Sequence, residues 1–231
     1  MNINNFGLTY LRYIKNKIVK KGLYNYKIPL GLFRGLILKL DLSSKFQVYT
    51  GLYERETHKY IRRSLKSDFF IDVGASGGEL CALFAKNNTK IFAIEPNEEE
   101  LELIKLQIVM NLNQKSQYQI IGKFCGMDDD FIKLDDLKIN KATNIFVKID
   151  VECGELDVLK SANNLLKQKA CSLLVETHSL QLEKDCINYL NKVGYDCKII
   201  KNAWWRLFVP ETRPVEHCRW IYADKVIPKY N

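Results

Sequence analysis

The chain has 231 residues, 47% of them hydrophobic and 27% charged, with only five prolines. That length fits one large domain or a domain with an extension, and the composition excludes a disordered, fibrous or low-complexity chain. The net charge of +8 permits contact with nucleic acid, anionic lipid or acidic glycan, although a lysine-rich solvated surface is the simpler source.

Seven cysteines are scattered at positions 81, 125, 153, 171, 186, 197 and 218, with no C-x-x-C pair. A zinc knuckle is therefore not encoded, and an odd, unclustered set reads as reduced thiols in a cytoplasmic protein. The first residues carry no signal-peptide pattern. The most apolar early stretch, "IPLGLFRGLILKL", contains Arg34 and Lys39 and is too short to span a bilayer.

In chain order, residues 6–21 place Leu8, Leu11, Ile14 and Ile18 on one helical face and bases on the other. This helix is expected to dock on the protein body, with peripheral membrane contact as the alternative. Residues 35–44 alternate like a short strand. Residues 51–67 read as a helix with Tyr53, His58, Ile61 and Leu65 around an apolar stripe. Residues 1–65 are thus expected to form an N-terminal extension and 66–231 the main domain.

From residue 69 the pattern changes to apolar runs of strand length alternating with helical segments. Strands are expected over 69–73, 90–96, 118–126, 144–150 and 171–177, and helices over 78–87, 97–114, 154–168 and 182–194. Asn97 caps the second of these helices, with three glutamates in its first turn. Such alternation predicts a doubly wound α/β fold with a mostly parallel sheet covered on both faces. Two further strands, "DCKIIK" and "CRWIYADKV", follow without a helix between them, giving a hairpin-like end.

The first strand runs into "DVGASGG", a turn without bulk that opens a helix. Glycine supplies backbone angles closed to other residues, and small side chains let a ligand approach the main chain. The spacing fits a dinucleotide fingerprint poorly, because Ser76 and Glu79 occupy its second and third glycine positions. It fits D-x-G-x-G-x-G better, through Asp72, Gly74, Ser76 and Gly78, with Ala75 between; this is the turn that holds S-adenosylmethionine. Glu95 ends the second strand 21 residues after Gly74, where a carboxylate accepts hydrogen bonds from both ribose hydroxyls. Asp128, in "GMDDDF" after the third strand, is placed to meet the adenine amino group, unless the three aspartates are only a solvated turn.

With these blocks, "GLYERE", "FVKIDVECGELDVLKSANNLL" and "LLVETHS" complete a set that resembles the FkbM family of S-adenosylmethionine-dependent methyltransferases over roughly residues 40–224. The family strand K-[IV]-D-V-E-G-x-E is matched at Lys148, Asp150, Glu152 and Glu155. The resemblance implies a class I methyltransferase, Rossmann-like fold with a seven-stranded sheet. It also implies O-methylation of a hydroxyl on a sugar, glycan or small metabolite. Cys153 departs from the family's glycine, and the adjacent Gly154 is expected to restore the turn.

Methyl transfer to an alcohol needs alignment and a base. The candidates at the ends of strands four and five are His178, Asp150, Glu152 and Glu176, with His178 first because an imidazole titrates near neutrality. A divalent metal on Asp150 with Glu176 or His178 is compatible with the ligand types but is not predicted. Trp204, Trp205, Arg206 and Arg213, in the loop before the last strand, are expected to hold the acceptor by stacking and charge. Two other classes compete. The charge suits an RNA-modifying enzyme or nucleic-acid-binding module, but the fourth strand lacks the proline-containing motif of base N-methylation, so a nucleic-acid partner is not expected. A catalytically silent fold that binds a partner through the basic helix conflicts with the intact glycine turn and Glu95.

Overall fold

The computed structural model describes residues 17, 19–139, 144–203 and 218–226. The basic segment 6–21 lies almost wholly outside the described residues, as do Trp204, Trp205, Arg206 and Arg213. An antiparallel pair, β1 (Tyr24–Lys27) and β2 (Ile37–Leu40), precedes α1 (Leu42–Thr50) and α2 (His58–Ser64). The α/β body follows as β3 (Phe69–Val73), α3 (Glu79–Ala85), β4 (Lys90–Ile94), α4 (Glu98–Asn111) and β5 (Gln117–Ile121). It continues as β6 (Ile145–Ile149), α5 (Glu155–Ser161), α6 (Asn163–Gln168), β7 (Cys171–Thr177), α7 (Leu180–Lys192), β8 (Tyr195–Ile200) and β9 (Arg219–Lys225).

The seven-stranded sheet has the order β5-β4-β3-β6-β7-β9-β8. The strands from β5 to β7 pair in parallel, and β9 runs antiparallel to both of its neighbours. The strand order reverses beside β3, so β3 and β6 diverge to opposite sides and open a crevice at their carboxyl ends.

Side-chain alternation assigns each face. Phe70, Phe146, Leu174, Trp220 and Tyr222 join one apolar cluster with Ile28, Phe33, Leu38 and Ile61. One residue along each strand, Ile71, Val147, Val175 and Ile221 join the other, with Val158, Leu159 and Leu190. Residues before position 66 therefore share a core with the sheet. The period of two then puts Asp72, Lys148 and Glu176 on the face they cover, at the carboxyl end.

Helix α4 fastens β2 to this body. Gln107 gives its amide to the Lys39 carbonyl and accepts from the Lys39 N–H, both at 3.0 Å. Asn111, one turn on, does the same for Ile37 at 2.8 and 3.0 Å. Two side-chain amides thus stand in for a neighbouring strand along β2.

Three local readings change. Residues 51–57 are not helical: Gly51 closes α1 at φ +73°, Glu54 has φ +42°, and the helix begins only at His58. Residues 42–50 are helical rather than the tail of a strand, because Asp41 caps them by accepting from the Ser43 N–H at 2.8 Å. The single helix expected over 154–168 is two, broken at Ala162. All seven cysteines are free thiols. Among the described residues, no helix is long and apolar enough to cross a membrane.

Candidate active site

The glycine turn is shaped first by the protein's own packing. Gly74 has φ +80°, and a β-carbon there would lie 1.9 Å from the Asp150 carbonyl oxygen, where the β3 and β6 ends meet. Gly78, at φ +76°, would place one 2.8 Å from Cα of Ile104 in α4. Only glycine fits both demands at once. Between them Ser76 sits at φ +44° and sends its N–H to Glu95 Oε2 at 2.9 Å. The other oxygen of Glu95 accepts from the Asn97 N–H at 3.0 Å. The buried Glu95 carboxylate therefore ties the end of β4 to the turn after β3, and Ala75 is buried beside it. Asp128 lies on an exposed turn after β5.

Asp72 is fully enclosed at the end of β3 and accepts from the Cys81 thiol at 3.2 Å. Burial pushes its carboxyl up to about 7, against the pull of the Lys148 ammonium. Lys148 lies opposite Asp72 on β6 and is also buried. Its ammonium is 3.0 Å from Asp150 Oδ2 and 4.0 Å from Glu176 Oε2. Burial opposes its charge, but Asp150, Glu54, Glu176 and Asp72 together hold it well above the usual lysine range.

Glu176, at the end of β7, accepts from the Trp220 indole and the Cys218 thiol, each at 3.0 Å. Burial, then the Asp150 and Glu54 charges, push it up to about 7. His178 follows two residues later. Its Nδ1 is 2.5 Å from Glu155 Oε1, and its Nε2 faces Asp150 Oδ1 at 3.9 Å and Glu176 Oε1 at 4.0 Å. The hydrogen bond to Glu155 raises the imidazole above its ordinary value despite burial, with Asp150 and Glu176 adding to the effect.

Of the predicted residues, Asp150, Glu176 and His178 come together at the crevice, while Glu152 is exposed on the loop after β6. Cys153 takes φ +65° itself and Gly154 has φ −102°, so the glycine does not take over the turn as expected. The β-branch-free Cys153 side chain is exposed and meets that demand at some strain.

Four contributors lay outside the candidate set. Lys148 and Glu155 stood in plain view as motif residues but were read as family markers. Glu54 is buried and acts on Asp72, Lys148 and Glu176 from a turn that had been read as helix. Tyr53 was placed on an apolar stripe, yet burial, with the Glu54 charge next, holds its phenol well above the usual range. An acidic residue directly after Leu52 and Tyr53 in "GLYERE" was the available signal.

No protein-family model matches the chain, and no curated protein matches it in sequence. Solved structures do match in fold. Methyltransferase FkbM from Methylobacillus flagellatus KT is 20% identical with a TM-score of 0.54, covering 78% of this chain and 55% of that one. The chain thus spans just over half of that protein's length. TYW2 from M. jannaschii, solved in complex with AdoMet, is 13% identical with a TM-score of 0.52, covering 90% and 88%. The Pyrococcus abyssi tRNA (uracil-54, C5)-methyltransferase, in complex with S-adenosyl-L-homocysteine, is 11% identical with a TM-score of 0.53, covering 88% and 44%. Sheet order and these likenesses together show a class I methyltransferase, Rossmann-like fold.

Proposed function

We propose that this protein is an S-adenosylmethionine-dependent O-methyltransferase of the FkbM type, acting on a hydroxyl of a sugar, glycan or small metabolite. The observation that carries the reading is the Glu95 carboxylate, held by the Ser76 and Asn97 N–H groups at the rim of the glycine turn. A carboxylate so fixed at the end of the second strand suits ribose hydroxyls and repels a pyrophosphate. The site also fits a cationic ligand, because the Asp72 carboxyl, raised by burial against the pull of Lys148, would be held as the anion by a further positive charge.

In this reading the backbone of Gly74, Ala75, Ser76 and Gly78 and the Asp72 network receive the amino acid end. Glu95 takes the ribose, and Asp128 the adenine amino group. When bound, S-adenosylmethionine supplies an electrophilic methyl on a sulfonium that is already a good leaving group. The chain's own task is alignment and proton removal. The acceptor oxygen forms a bond to the methyl carbon as the carbon–sulfur bond breaks and S-adenosylhomocysteine departs. The hydroxyl proton passes to the Asp150–Glu176–His178 cluster, where His178 Nε2 is the atom placed to receive it and Glu155 fixes its tautomer. Alignment contributes roughly 7–11 kcal/mol to such transfers, and a base about 10²–10⁴-fold.

The acceptor loop with Trp204, Trp205, Arg206 and Arg213 completes the proposal. Alanine at both tryptophans should change acceptor use at least tenfold while leaving cofactor affinity within about twofold; equal losses of both would contradict a role in acceptor binding. Methyl-labelled S-adenosylmethionine, offered with a panel of hydroxylated sugars and metabolites, should yield base-stable ether label. Label appearing only on RNA would replace the acceptor class while keeping the cofactor.

A further inference from the structure

His178 sets an unusual condition at the carboxyl ends of β6 and β7. Its side chain is only 7% exposed, and its Nε2 is buried without a hydrogen-bond partner. The nearest oxygens, at 3.9 and 4.0 Å, are beyond hydrogen-bond reach. The other ring nitrogen is already engaged. Nδ1 is committed to Glu155, so Nε2 is left facing two carboxylates, where it carries a proton or, with the ring neutral, offers a lone pair to a metal ion. Three donor atoms turned to one space suit a cation there.

The carboxylates are arranged for one. Asp150 accepts from the Lys148 ammonium at Oδ2 and turns Oδ1 toward the imidazole. Glu176 accepts from the Trp220 indole N–H at Oε2 and turns Oε1, which also accepts from the Cys218 thiol, toward the same nitrogen. One donor atom from each of Asp150, Glu176 and His178 lies within 4.8 Å of the other two. Neighbouring ligands around a shared ion at about 2.1 Å stand about 3.0–3.4 Å apart, so the imidazole–carboxylate pairs must draw in by roughly 0.5–1 Å and the two carboxylates by up to about 1.8 Å. Charge favours the ion as well: Asp72, Glu54 and Glu155 add to the two ligand carboxylates around the Lys148 ammonium.

We infer that Asp150, Glu176 and His178 form a binding site for one divalent first-row cation, with Glu155 as the residue that positions the imidazole. A carboxylate behind a ligating imidazole is the usual means of fixing its orientation. The mixed nitrogen and oxygen donor set suits manganese, cobalt or zinc better than calcium. Three protein ligands leave positions open, and the half-buried Asp150 marks the solvent side. The purpose rests on the methyl-transfer reading: an acceptor hydroxyl coordinated there would be more acidic and would lose its proton to water on the solvent side, with Nε2 as a ligand in place of the proton acceptor of the metal-free site.

The test uses Mn²⁺ and Co²⁺ with the full chain. Calorimetry with Mn²⁺ should show one equivalent, weakened about 10–100-fold in Glu155→Gln and lost in His178→Ala. Because His178→Ala could disturb folding, wild-type protein carrying ¹⁵N-labelled histidine provides a second readout. Co²⁺ should displace the Nε2 resonance of one of the three histidines. No saturable cation binding, binding unchanged in His178→Ala, or no selective histidine shift would overturn the inference. Parallel titration with S-adenosylhomocysteine separates the two proposals. Cofactor product bound without a cation sinks the metal site alone, and cation bound without cofactor product sinks the methyl-transfer reading alone.

Discussion

The side chains at the crevice show which residue preferences serve folding and which serve chemistry. Cys153 holds φ +65° with a β-carbon in place, on an exposed loop. Left-handed geometry costs a non-glycine residue roughly 1–2 kcal/mol, so Cys153→Gly should stabilise the protein by about 1 kcal/mol in urea unfolding. Asp72 shows the opposite balance. Its carboxyl is raised from 3.8 to about 7, so the folded state holds the proton more tightly than the unfolded chain does. Stability is then lost as pH rises from about 4 to about 7. Asp72→Asn should therefore melt a few degrees higher than wild type at pH 8, with the gap closing toward pH 4, and should bind S-adenosylhomocysteine more weakly. At this scale the sequence named Asp72, Glu95, Asp150, Glu176 and His178 from their places at strand ends. It could not supply the Glu155–His178 bond, since that pairing joins α5 to the loop after β7 and depends on tertiary geometry.

At the level of elements, periodicity read the α/β body well because its strands are unbroken apolar runs and α4 carries its own cap, Asn97 accepting from the Glu99 N–H at 3.1 Å. The N-terminal elements were harder. Residues 51–57 have helical spacing, but the close approach of Gly31 and Gly51, whose added β-carbons would meet backbone at 2.3–2.6 Å, enforces a turn instead. That turn is what delivers Glu54 to Lys148. The amide ladder from α4 to β2 was equally invisible, because side chains imitating a strand leave no periodic trace. Gln107 is wholly buried and serves both the N–H and the C=O of Lys39. Gln107→Ala should cost about 2–4 kcal/mol, as two backbone groups lose their partner, and Gln107→Glu should retain only part of the stability. Amide exchange at Lys39, faster in both variants, would check that the loss is local to β2.

On the scale of the whole molecule, topology explains why so much of the site was legible. A parallel sheet whose order reverses beside β3 brings the ends of β3, β4, β6 and β7 to one edge, so residues that terminate strands converge without any knowledge of side-chain contacts. What stayed hidden came from segments outside that repeat, namely the residues before 66 that cover the charged face. The net charge of +8 gave no clue to the site, which is locally acidic. The central claim is that Glu95, anchored to the glycine turn, completes a site for S-adenosylmethionine. Calorimetric titration of wild type and Glu95→Ala with S-adenosylhomocysteine tests it most directly. The account predicts micromolar binding by wild type and at least tenfold weaker binding by the folded variant. A folded wild-type protein that takes up no S-adenosylhomocysteine, or a variant that binds it as tightly, would contradict it.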